Sequence, residues 1–153
     1  SRYNSWLSAQ TSIETEWAAP SINPANAIEM MARGQAALVA GELFKAVADM
    51  AAACRFHPGH PDYEASLAWA RFRAEASREK EDRAVLARRE RAVADQALAG
   101  RRPWPRALLA LGLLCVADDD PDSARWHLQE ALACDPNLPA AKQLLARIGR
   151  AAR

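Results

Sequence analysis

Cys54, His57 and His60 form a C-x-x-H-x-x-H run, the sulfur and imidazole types that zinc prefers. The two histidines flank Pro58-Gly59, however, and a zinc site needs at least three fixed ligands with groups behind them to orient them. The run therefore reads as a turn with solvent-facing histidines and a packed cysteine. Asp118, Asp119, Asp120 and Asp122 offer the oxygen ligands of a calcium site, but no glycine turn or distal bidentate glutamate accompanies them. At the start of the helix carrying Trp126 their charge suits the positive end of the helix dipole, so capping is the expected role. The pairs Glu14/Glu16 and Glu79/Glu81 sit on helix surfaces without an apolar pocket to raise a pKa. His127 stands alone beside Trp126 and reads as a surface or interface residue. Phosphate-loop, dinucleotide, nucleophile-elbow and zincin motifs are all absent. The expectation is a chain without catalytic residues, metal or cofactor, and not an enzyme.

The elements around these residues read as helical throughout. The chain has 153 residues, 36 of them alanine, with leucine and arginine next, and these types head the helix-propensity ranking. Its length suits one domain. Net charge is +1, from 20 basic and 19 acidic side chains, which excludes bulk attraction to nucleic acid or anionic lipid. Even the arginine-rich run Arg78–Arg91 belongs to a neutral stretch, with eight basic and eight acidic residues across 61–100, and predicts a solvated face with i, i+4 pairing. No apolar run is long enough for a membrane span and nothing at Ser1 resembles a signal peptide. Cys54, Cys115 and Cys134 read as reduced core residues, and the expected location is cytoplasmic. The start at Ser1, without methionine, reads as an excised or trimmed piece of a longer protein.

Helix punctuation is explicit. Asn23-Pro24 and Asp120-Pro121 each pair an N-cap residue with proline at the first helical position. From Pro105 to Leu138, Leu111-Gly112 is followed by Ala124, Leu128, Ala131 and Pro136. From Ala27 to His60, the same frame gives Gly34, Ala46, Met50, Ala53 and Pro58, with Gly41 where a turn between helices belongs. These units resemble the 34-residue tetratricopeptide repeat, a helix–turn–helix with small residues at its eighth, twentieth and twenty-seventh positions and proline at its thirty-second. Leu108 and Cys115 replace its first-helix aromatics, and Arg33 replaces its leucine. A degenerate middle copy starts at Pro61, with Leu67-Ala68 in the Leu-Gly slot, and its second helix runs from roughly Glu79 to Ala99. Gly34 is expected to cross Ala46 and Ala53, and Gly112 to cross Ala124 and Ala131, with the larger residues filling between pairs.

The resemblance implies an all-α right-handed solenoid of about three helix pairs, with repeats at 27–60, 61–104 and 105–138 and a C-terminal cap at 139–153. Together these make a repeat domain at 25–153, preceded by residues 1–24 as a linker or a short amphipathic helix. It further implies non-catalytic protein–protein interaction, an adaptor or scaffold taking a peptide or amphipathic helix in the concave groove. Groove positions carried over from the family are Met31, Gln35, Leu38, Val39, Ser66, Trp69, Arg73, Arg106, Leu109, Ala110 and Leu113. Where the family's chaperone-tail clamp has lysines and asparagines, Met31, Gln35, Ser66 and Ala110 stand, with Arg106 the one basic match. These departures argue against an acidic chaperone C-terminus as ligand. Trp6, Ile13 and Trp17 fall near one helical face with Tyr3 and Leu7, and such aromatics need an apolar cover. Self-association through Trp6 and Trp17, or docking of residues 1–19 into the groove, would supply it. A structural oligomerisation module is thus the alternative, and a nucleic-acid contact through Arg101, Arg102, Arg106 and the basic tail (Lys142, Arg147, Arg150 and Arg153) a lesser one.

Overall fold

Proline opens five of the helices in the computed structural model, which describes residues 22–78 and 82–151. The described residues form seven helices: α1 (Pro24–Val39), α2 (Leu43–Phe56), α3 (Pro61–Arg78), α4 (Arg83–Leu98), α5 (Pro105–Ala117), α6 (Pro121–Cys134) and α7 (Pro139–Ala151). Proline serves at a helix start because its φ is already helical and its missing N–H would find no partner there. The Asn23 side chain accepts from the Asn26 amide at 3.2 Å and that of Asp120 from the Ser123 amide at 3.2 Å, closing the N-termini of α1 and α6. Helix α4 starts at Arg83 rather than near Glu79, after Asp82 at φ 60° departs from the helical path.

The α1–α2 and α5–α6 turns are the same device 78 residues apart. Glu42 N–H donates to Ala37 O and Asp120 N–H to Cys115 O, both at 2.9 Å, each reaching back over a left-handed residue. Gly41 (φ 80°) fills that position in the first turn and Asp119 (φ 57°) in the second. A Cβ in this conformation costs roughly 1–2 kcal/mol, less for the short polar Asp. Asp119→Gly is therefore expected to stabilise the chain by up to about 1 kcal/mol. A urea-midpoint increase without a slope change would register it.

Helices pack as α1 with α2, α3 with α4 and α5 with α6, while α2 and α4 also bridge to the following pair and α7 closes on α6 and α5. The described chain is thus an all-α solenoid of helix pairs. Gly34 and Gly112 sit where helices cross; Ala46 faces Gly34 as expected, through its backbone oxygen, but the nearest atoms belong to larger residues. A Cβ on Gly34 would stand 2.6 Å from Met50 Cγ, and one on Gly112 would stand 2.9 Å from Leu128 Cγ. Each glycine thus makes room for the large residue of its own partner helix, while Met50 also clusters with Leu67 and Ala70 of the next pair. The apolar interior falls into two clusters, one of α1, α2 and Leu67 and Ala70 of α3, the other running from α3 to α7.

The arginine-rich helix α4 keeps a solvated face, with Arg88 and Arg89 exposed, but its pairing runs mostly to other helices rather than i, i+4 along itself. Arg91 reaches Asp118 at 3.2 Å and Asp120 at 2.9 Å, Arg88 approaches Asp118 at 3.6 Å, and Arg89 binds Glu75. Glu90 is buried and accepts from Arg71 Nε at 2.9 Å. The pairing is mostly interhelical because α4 packs against both α3 and α5. In the acidic group, Asp120 caps and Asp118 is a partner for arginine. The Ser123 hydrogen bonds, with Arg91 beside them, hold the Asp120 carboxyl below its usual range. Cys115 is buried and Cys54 half-buried, whereas Cys134 is exposed at the last position of α6 rather than in the core.

Candidate functional site

The first helices of the pairs, α1, α3 and α5, and α7 after them, line one continuous groove. Its first recess, about 330 Å³, lies between Ile28, Met31, Ala32 and Gln35 of α1 and Tyr63 and Ser66 of α3, with Arg106 at its far side. The second, about 510 Å³, runs from Leu38 past Trp69 to Leu109, Ala110 and Leu113 of α5 and on to Pro139 and Gln143 of α7. Gln35, Ser66 and Arg106 line both and join them. The walls of both recesses are mainly apolar, with His60 and Asp62 at the polar end of the first.

Local structure explains the polar end. Trp104 precedes α5 and gives it no side-chain cap, so the N-terminal amides of α5 lack a local partner. Asp62 of α3 supplies one from another helix, accepting from the Ala107 amide at 2.8 Å. Burial holds the Asp62 carboxyl above its usual range, against the pull of that amide, His60 and Arg106. A raised carboxyl pKa means that ionisation opposes folding, and this opposition is relieved as pH falls through the carboxylate range. Asp62→Asn keeps the acceptor without the charge and should equal or exceed the parent in stability at pH 7. Asp62→Ala should cost about 0.5–2 kcal/mol, as loss of a cap does; urea unfolding of both variants checks the pair.

His60 is not a solvent-facing turn residue. Its ring stacks on Tyr63 at 3.9 Å between centroids, meets His57 edge-on at 4.8 Å and lies 4.9 Å from Trp104. Burial lowers its pKa, and its Nδ1 is enclosed without a hydrogen-bond partner among the described residues. Arg101 Nη1 donates to Gly59 O at 2.8 Å and ties two loops together, whereas Arg102 lies over Trp104 at 5.0 Å within its own loop. Burial pushes the Cys54 thiol up to about 12 and the Cys115 thiol up to about 11, leaving neither as a nucleophile at neutral pH. Among the described residues no three His, Cys, Asp or Glu side chains gather as metal ligands.

Of the positions carried over from the family, Met31, Gln35, Leu38, Ser66, Trp69, Arg106, Leu109, Ala110 and Leu113 line the two recesses. Arg73 does not line them, and Val39 is 89% exposed at the last residue of α1. The carry-over missed Ile28, Asp62 and Tyr63 and the contribution of α7. Asp62 and Tyr63 lie four and three residues before Ser66, so helical spacing alone places them on its face. Trp6 and Trp17 fall outside the described residues.

A tetratricopeptide repeat family model matches residues 105–148. Among solved structures, the first TPR of Spaghetti (RPAP3), bound to the HSP90 peptide SRMEEVD, aligns with a TM-score of 0.58 at 18% identity. The alignment covers 86% of this chain and 96% of that one. The fold is that of a tetratricopeptide-repeat domain. No curated protein matches the chain by sequence. The tetratricopeptide fold is typically a protein–protein interaction module and typically non-catalytic. Among the described residues no helix is long and apolar enough to cross a membrane.

Proposed function

We propose that the chain is a non-catalytic adaptor or scaffold module whose groove binds a peptide or amphipathic helix of another protein. In this reading residues 25–153 act as one binding unit, located in the cytoplasm. The observation that carries it is the half-exposed Trp69 at the centre of an apolar recess shared by α1, α3, α5 and α7. Tryptophan in such a position is the commonest kind of residue to dominate an interface. The solved relative holds a peptide, which supports a peptide as ligand here. An acidic chaperone tail fits this groove less well, since Met31, Gln35, Ser66 and Ala110 bring no positive charge beside Arg106. Arg101 is engaged in holding two loops together, which speaks against its use in a phosphate track.

The test is capture of partner proteins by the chain and by its Trp69→Ala, Leu109→Ala variant, with helix content checked by circular dichroism. A protein held by the first and lost by the folded variant is the expected result. Equal capture by both, or none by either, would remove the groove as the binding surface.

A further inference from the structure

We propose that the resting occupant of the groove is residues 1–21 of the same chain, docked in cis and displaced by a partner. The inference rests on the groove reading above and names its regulation. Asn23 is pinned where the chain enters α1, its amide donating to Phe56 O at 2.8 Å, so the preceding segment departs from a fixed point. Beside that point the surface is apolar: Ile22 is 66% exposed, and Ile28, 62% exposed, forms the near wall of the first recess. The groove then continues through Trp69 to Leu109 and Leu113.

The segment matches this surface in chemistry. It carries Tyr3, Trp6, Leu7, Ile13 and Trp17, and its net charge is −1, from Arg2, Glu14 and Glu16. The groove presents an exposed arginine, Arg106, at its middle, and Asp62, which accepts from the Ala107 amide, shares the first recess with it. Reach is sufficient. Glu14 stands eight residues before Ile22, about 26 Å of extended chain, and Arg106 lines the same recess as Ile28. Trp6, sixteen residues away, spans about 24 Å even as a helix, enough to reach the second recess.

A synthetic peptide of residues 1–21 provides the probe, titrated into the full chain and into the full chain carrying Trp6→Ser and Trp17→Ser. A tethered segment faces its own groove at about millimolar effective concentration, so for a peptide of about 10 µM affinity the unaltered chain should bind about 100-fold more weakly than the double variant. Binding to the double variant should be lost when Leu109→Glu is added, with circular dichroism confirming the fold. The exposed Arg106→Glu is a second groove variant and should weaken binding several-fold. Equal affinity for both chains, or no binding to the double variant, overturns the proposal. So does binding that survives both groove changes, which would put the segment on the outer face of α1. A doubled solution mass of the unaltered chain that falls in the tryptophan variant also overturns it, since the occupant would then be a second copy's segment. The groove reading fails separately: it stands on groove-dependent capture of a foreign partner, which should rise in the double variant if cis docking holds and stay unchanged if it does not.

Discussion

Phe72→Ala is expected to lower unfolding free energy by about 3–5 kcal/mol, the range for truncating a fully buried phenylalanine. Phe72 is the largest side chain with no exposure, set in α3 among Leu86, Ala87 and the α5 leucines. Removing it opens a cavity that the surrounding alanines cannot fill. It matters to the groove as well, because Trp69 stacks on it at 5.5 Å between ring centroids. Phe72→Leu keeps most of the volume and should cost about 1.5 kcal/mol or less, while the stack is lost. Urea unfolding of the two variants measures the packing. Groove binding by the Leu variant measures how far Phe72 holds Trp69 in position.

Arg71→Met should cost about 3 kcal/mol, because it leaves Glu90 buried with a weakened charge balance. The Glu90 side chain is 4% exposed and Arg71 is its nearest partner, with Arg89 Nε farther off at 3.5 Å. The remaining Arg89 and the partial exposure of Arg71 place the loss at the lower end for a broken buried pair. Removing both charges, as Arg71→Met with Glu90→Leu, should restore stability to near the parent or above it, since a buried pair rarely outperforms an apolar replacement. A double-mutant cycle by urea unfolding gives the coupling directly. A double variant no more stable than Arg71→Met alone would mean that Glu90 is held by more than its charge partners.

Much of this was legible in the sequence wherever a residue type has one structural use. Asn23-Pro24, Asp120-Pro121 and Gly41 mark helix ends, and the 78-residue offset between Gly34 and Gly112 recurs in the turns that follow them. The positions lining the groove came from the family frame, which fixes helix phase. Arg73 departs from that frame in the degenerate middle pair. What escaped was the three-dimensional partnering of polar groups. Glu90 looks like any other charge in a run of arginines, and only the packing of α4 against α3 and α5 buries it against Arg71. His60 looked exposed because Pro58-Gly59 signals a turn, whereas Tyr63 and Trp104, from two different elements, close over it. Asp62 gave no local sign of capping a helix 45 residues further on.

The two-part interior makes Trp69 a hinge pin, because it packs against both clusters. In a linear array a terminal pair can detach while the rest stays folded. Here α1 and α2 would leave together, taking Met31 and Leu38 with them. A ligand that touches Leu38 on one side of Trp69 and Leu109 on the other is therefore a splint across the joint. Its binding free energy adds to the cost of opening that joint. Occupancy of the groove would then appear as slowed amide exchange along α2, a helix that does not line it.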